Sequence, residues 1–213
     1  VLYNGAVCED SLIYAYRFNV LTGLRTGEMM GLEWGDIDDD YIHVRRAINA
    51  KGVMTNGKNG YAKRDFPQTR QTREVLKAQE KYRQCPTNPH ERVFGDTGQL
   101  CYRERWAKFC KFNKIPYVTP YELRHTFRSI YKGEISGLPE SEKNIPTFQS
   151  WTSEELMGHV HAGMPGVYGH TLDGDMDMVP QLLESVFDAR LKRGEEIYLK
   201  KFCKNPLPSD STS

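Results

Sequence analysis

The sequence predicts an α+β fold, mainly α-helical, with a small three-stranded antiparallel sheet between two helical blocks. Three observations lead there. Apolar residues recur at helical spacing in residues 9–22 and again in 177–201. One stretch, YIHVRRAIN (41–49), alternates and is rich in β-branched residues, and two Asn/Gly turn signals follow it. Beyond it come two helix starts of the capping-box type, TPYE at 119–122 and TSEE at 152–155.

Taken in order, EDSLIYAYRFNVLT (9–22) is the first helix, with Asp10 as its N-cap. TGLRTGEMMGLEW is a glycine-broken turn leading into a short helix. The strand at 41–49 leads to MTNGKNGYAK, whose Asn-Gly pairs mark a hairpin tip. Residues 60–66 and 72–76 then supply two more short strands, and 74–84 and 99–113 read as helical. In TPYELRHTFRSIY, Thr119 caps, Pro120 suits the first helical position and Glu122 completes the box. Thr152 and Glu155 repeat that signal. A polar, Pro/Gly-bearing segment at 132–151 lies between these helices. It reads as a surface insertion or as a contact to another molecule. The last helix spans about 177–201, and the tail NPLPSDSTS in 202–213 is expected to be disordered.

Composition narrows the function classes. The 213 residues suffice for one core, or at most two. No apolar run approaches a membrane span, and no signal segment opens the chain, so no membrane partner is expected. The chain begins with Val1, which suggests a fragment of something longer. Cys8, Cys85, Cys101, Cys110 and Cys203 are scattered without a CxxC pair, which argues against a disulfide framework and a zinc site and fits a reducing cytoplasm. A formal net charge of +1 means that any nucleic-acid partner must be met by local basic clusters.

Four features carry chemistry. Tyr121 and Arg124 share one face of a well-capped helix near its N-terminus, where an anion is favoured. A guanidinium fork matches a phosphate, although a lone arginine there is more often a solvated or ion-paired residue. Arg25 stands between two glycines that let a large partner approach. Glu28 is placed to hold Arg25 or Arg124, or to serve as a first-turn helix acid. In ELMGHVHAGMPGVYGH, His159 follows Gly158, and Tyr168 comes nine residues later. A phenol is a poor nucleophile unless its proton is removed and its developing charge is met. Two arginines and a histidine around one phosphate would meet that need without a metal or other cofactor. A metal-dependent nuclease is disfavoured, since no carboxylate cluster has suitable spacing.

Arg25, Tyr121-x-x-Arg124-His125, Gly158-His159 and Tyr168 follow one another in this order. The stretches TGLRTGE, ELRHTF and LMGH…VY resemble the catalytic domain of the tyrosine recombinase, or phage-type integrase, family over roughly residues 9–201. The resemblance implies the DNA breaking–rejoining fold in 1–201, with the family's N-terminal DNA-binding domains absent. It also implies strand cleavage and rejoining through a 3′-phosphotyrosine link, in the service of a phage or other mobile element. Tyr168 would be the nucleophile, Arg25 and Arg124 the phosphate clamp, and His159 a donor or proton-transfer group. His125 would support the site. Double-stranded DNA is the implied partner, with a homo-oligomer on it, a tetramer in the synaptic complex.

Two positions depart from the family pattern. Tyr121 stands where a histidine is usual, and is expected to act as a hydrogen-bond donor. The simplest alignment puts Gln68 in place of the hairpin lysine that protonates the leaving oxygen, so Lys63, or alternatively Lys58, is expected to take over. Lys58, Lys63, Arg64, Arg70, Arg73, Arg103, Arg105 and Lys108 are the expected contacts to the DNA backbone. The apolar stripe Val179, Leu182, Leu183, Val186, Phe187 and Leu191 fits either the chain's own core or a neighbouring protomer. Two other functions stay open: a type IB topoisomerase, and a DNA-binding module of the same fold that has lost catalysis.

Overall fold

A computed structural model describes residues 10–55, 63–131, 156–158 and 179–200. The first helix, α1 (Ile13–Thr22), is entered through Asp10, whose carboxylate accepts from the Leu12 N–H at 2.9 Å and from the Tyr16 hydroxyl at 2.8 Å. It stops at Gly23, which takes the left-handed conformation (φ 60°) and donates its N–H to the Asn19 carbonyl. A Cβ at Gly23 would lie 2.6 Å from the Phe127 ring, so this glycine also sets how closely α1 meets the helix carrying Phe127. The short α2 (Thr26–Met30) follows, and the Glu28 carboxylate at its third position reaches back to the Arg25 N–H at 2.9 Å.

The sheet differs from the expectation. Among the described residues, two separate antiparallel pairs stand in place of three strands in one sheet. Strand β1 (Tyr41–Val44) pairs with β4 (Arg64–Pro67), and β2 (Ala47–Ile48) pairs with β3 (Met54–Thr55). The single strand read at 41–49 breaks at Arg45–Arg46. Arg45 turns to Asp65 and Arg46 to Glu33 and Asp36, so the backbone leaves one ladder and starts another. The β1–β4 register sets Ile42 opposite Phe66 and Val44 opposite Arg64. Since side chains alternate, these four share the inner face, while His43 and Asp65 face outward. The hairpin tip between β3 and β4, with Lys58, lies outside the described residues.

Residues 72–76 are not a strand. They belong to α3 (Arg70–Gln79), whose N-cap Thr69 accepts from the Thr72 N–H while the Thr72 hydroxyl accepts from the Thr69 N–H. Thr72, Val75, Leu76 and Gln79 are buried at helical spacing. Next come α4 (Gln99–Phe112) and α5 (Pro120–Tyr131). The predicted start of α5 is present: the Thr119 hydroxyl accepts from the Glu122 N–H at 3.2 Å, and Glu122 accepts from the Thr119 N–H at 2.5 Å. The last described helix, α6 (Val179–Tyr198), buries Val179, Leu183 and Phe187.

The core lies where α1 packs on α3 and α5 and α6 lies across the latter two. Phe127 meets Phe66 and Phe187, and Tyr16 is ringed by Tyr102, Trp106 and Phe109. Val179, Leu183, Val186 and Phe187 of the α6 stripe pack on the chain's own core, and the helix is fastened by Arg70 to Asp188 at 2.7 Å and by the Gln71 amide to the Glu184 carbonyl. No helix among the described residues is long and apolar enough to cross a membrane.

Two measurements follow. Phe127→Ala should lower the unfolding free energy by about 3–5 kcal/mol in urea titrations. On the outer face, His43 sits between Asp65 (2.7 Å) and Asp38 (2.8 Å), and the Asp65 hydrogen bond raises its pKa above the usual 6.5. A raised value stabilises the fold below the unfolded pKa, and that gain fades as pH rises through the folded one. The melting-temperature gap between wild type and His43→Gln should therefore be largest below ~6.5 and shrink in more alkaline buffer.

Candidate active site

The end of α1 and the start of α2 place Arg25 beside the first turns of α5. Arg25 is the N-cap of α2, in extended conformation, with its side chain 38% exposed. Arg124, about a hundred positions later, is only 2% exposed. It donates from Nη1 to the Gly23 carbonyl at 2.7 Å and from Nη2 to the Met157 carbonyl. Both arginines line one cavity of about 630 Å³, with Leu24, Thr26, Glu28 and Tyr121. The far wall of the cavity is the β2–β3 ribbon. Gly27 lets that ribbon approach: a Cβ there would lie 2.5 Å from the Ile48 carbonyl oxygen, which also accepts from the Gln99 amide.

Glu28 is the negative centre of the site. Its two oxygens accept four hydrogen bonds: from the Arg25 N–H and Nη1 at 2.9 Å each, and from Arg64 Nη1 and Nη2 at 3.1 and 2.9 Å. Burial alone would raise its pKa, but the Arg64 bonds and charge, with those of Arg25, hold the carboxyl below the usual range. Arg25, Arg64 and Arg124 set three positive charges against this one carboxylate, leaving the site cationic. Burial, and then the nearby Arg25, brings Arg124 down to about 10, so it stays charged at neutral pH.

The turn Leu156–Gly158 closes over the two buried arginines. Arg64 Nε donates to the Leu156 carbonyl at 2.8 Å, and Arg124 holds the Met157 carbonyl. Gly158 is left-handed (φ 60°), and a Cβ there would come within 3.0 Å of Arg64 Nη1. His159 and Tyr168, together with Lys58, lie outside the described residues.

Tyr121 is 61% exposed and lines both this cavity and an adjoining one of about 510 Å³ that includes Gln99, Leu100 and Arg103. The His125 ring meets it edge to face at 4.7 Å between centroids. Lys63 is exposed, immediately before β4.

The remaining residues singled out in the sequence take these places. Arg64 was expected on DNA, but its side chain is 7% exposed and forked onto Glu28, because its strand register points it inward. Gln68 is buried at the corner after β4, with its amide on the Asp38 carbonyl, and does not line the cavity. Three other expected DNA contacts are engaged within the fold and do not line the cavity. Arg70 binds Asp188 and Glu74, Arg73 the Asp39 carbonyl, and Arg105 binds Asp10 and the Ser11 hydroxyl. Lys108 is exposed on α4. Sequence reading missed Gln99 and the ribbon residues Asn49 and Thr55 as lining groups. Arg64 had a signal, since Phe66 two residues later is apolar and shares its face.

Among the described residues, no three His, Cys, Asp or Glu side chains are placed to hold a metal ion.

Residues 7–139 match the model of the phage integrase family, more than half of the chain. Comparison with curated proteins gave no match. Among solved structures, the integrase of transposon Tn1549 in complex with circular intermediate DNA is similar at 20% identity and a TM-score of 0.57, covering 75% of this chain and 56% of that one. XerA recombinase is similar at 16% identity and 0.54, covering 94% and 60%. A lambda integrase tetramer bound to a Holliday junction is similar at 18% identity and 0.51, covering 78% and 46%. The chain thus spans about half to three fifths of these solved chains.

Glu28→Gln removes the charge that the buried Arg64 guanidinium faces, and should lower the unfolding free energy by about 3–5 kcal/mol at neutral pH. Because the Glu28 pKa is depressed, its contribution is present above the unfolded value and lost as pH falls through the folded one. The wild-type advantage in urea titrations should therefore narrow below ~4.5.

Proposed function

Because the chain belongs to the phage integrase family of tyrosine recombinases, we propose that residues 1–201 are the catalytic domain of an enzyme that cleaves and rejoins double-stranded DNA through a covalent phosphotyrosine. The observation that carries this reading is the convergence of Arg25 and Arg124 on one cationic cavity. Two guanidinium groups lining one cavity suit a scissile phosphate.

In the proposed step the Tyr168 phenol oxygen attacks phosphorus. A P–O bond to tyrosine forms as the bond to the 5′-oxygen breaks, and the strand is left as a 3′-phosphotyrosine. The phenol gives its proton to solvent, and the departing 5′-oxygen gains one. His159 assists at the phosphate, and Lys63 or Lys58 is the proton source for the leaving oxygen. Arg25 and Arg124 meet the charge that builds on the nonbridging oxygens, so the protein itself supplies the electrostatic stabilisation. Attack by a new 5′-hydroxyl reverses the step on another strand. Energy is kept in the covalent link, which suits exchange of strands during integration or excision of a mobile element. The Tn1549 and lambda structures, solved with DNA, support a DNA substrate, and the lambda tetramer supports assembly of several copies on it.

Tyr121 lines the same cavity with an exposed ring. It acts here as a hydrogen-bond donor to the phosphate, the part that a histidine plays elsewhere in the family. Tyr121→His should then keep cleavage within about tenfold, ~1.4 kcal/mol, in a gel assay of adduct formation. A larger loss would mean that the phenol itself is required.

The whole reading is tested with a nicked oligonucleotide that lets the cleaved end diffuse away. Wild-type protein should become trapped on DNA through Tyr168, identified by peptide mass spectrometry, and Tyr168→Phe should bind without trapping. DNA binding by the wild type with no adduct would instead identify a non-catalytic binding module.

A further inference from the structure

Arg64 joins two parts of the site that the strand-transfer mechanism treats separately. Its guanidinium forks onto both Glu28 oxygens, at 3.1 and 2.9 Å, and the same carboxylate holds Arg25 at 2.9 Å. Its Nε holds the Leu156 carbonyl at 2.8 Å, and Gly158, left-handed at φ 60°, lies so close that a Cβ there would be 3.0 Å from Nη1. The turn Leu156–Gly158 leads directly to His159 in sequence. The β1–β4 register fixes the direction of Arg64 from below, since it stands opposite Val44 on the inner face. The side chain is only 7% exposed and is engaged within the site. Its contacts set the angle of Arg25 and the height of the 156–158 turn over Arg124.

We propose that Arg64 is a positioning residue of the active site, acting through Glu28 on Arg25 and through the Leu156 carbonyl on the turn that precedes His159. This rests on the strand-transfer reading above. Lysine cannot replace it: an ammonium has no planar fork to match both carboxylate oxygens, and no Nε–H to hold the turn at the same time.

The test compares wild type, Arg64→Lys and Arg64→Ala in the full-length protein. Adduct formation on the nicked oligonucleotide is followed at saturating DNA, and DNA affinity is measured across a salt series. Arg64→Lys, which keeps the charge and protects the fold, should slow adduct formation by about tenfold or more. Its affinity and salt slope should stay within about twofold of wild type. Arg64→Ala should be slower still. A role confined to stability would move the urea midpoint and leave the adduct rate of folded protein unchanged, which would overturn the proposal. So would a lower salt slope with weaker binding, because Arg64 would then be touching phosphate.

Failure of the underlying reading looks different, since the wild type itself would form no adduct. For that case arginine-labelled NMR decides the positioning claim alone. The Arg25 Nε–H signal should shift in Arg64→Lys, and an unmoved signal would overturn it.

Discussion

One buried carboxylate organises this molecule's cationic site. Three guanidinium groups brought together would repel one another and resist burial, and each would pull toward solvent. Glu28 changes that balance. Its two oxygens take the fork of Arg64 and two donors from Arg25, while Arg124 is tied to backbone carbonyls close by. The cost of removing these charges from water is offset by satisfied, charge-assisted bonds in a low-dielectric setting. A net positive charge remains, directed into the cavity.

The fold serves that arrangement at each point where elements meet. Gly23 ends α1 and brings its carbonyl to Arg124. Gly27 lets β2 lie against α2, and Gly158 leaves room for the Arg64 guanidinium. At Gly23 and Gly27 a side chain would collide with a neighbour, and at Gly158 the left-handed backbone and a tight approach to Arg64 disfavour one, so the glycines are spacing devices. The core behind them, with Phe66, Phe127 and Phe187 in contact, fixes β4, α5 and α6 to one another and so fixes Arg64 relative to Arg124. A rigid frame of this kind suits chemistry that depends on donors already in place before charge develops.

Much of this was legible in the sequence. Thr119, Pro120 and Glu122 announced α5 because capping is local chemistry, and the α6 stripe showed its buried side through spacing. Arg25 and Arg124 stood out through the stretches around them. What could not be read depended on register and distant pairing. TREVL fits a strand as well as a helix until the Thr69–Thr72 exchange decides it. Arg64 looked like one more basic residue near a hairpin, and only the alternation of β4 turns it inward. Arg70 and Arg105 each have an acidic partner far away in sequence, Asp188 and Asp10. Local pattern does not reveal such partners.

The central claim is that Arg25 and Arg124 embrace the nonbridging oxygens of one phosphate. Replacing one of those oxygens by a methyl group, as a methylphosphonate at the cleavage position, removes the negative charge they would meet. On ordinary DNA, Arg25→Ala should slow adduct formation by about a hundredfold, ~2.7 kcal/mol, and on the methylphosphonate by no more than a few fold. An equal loss on both substrates would contradict the account, since Arg25 would then be acting somewhere other than on that charge.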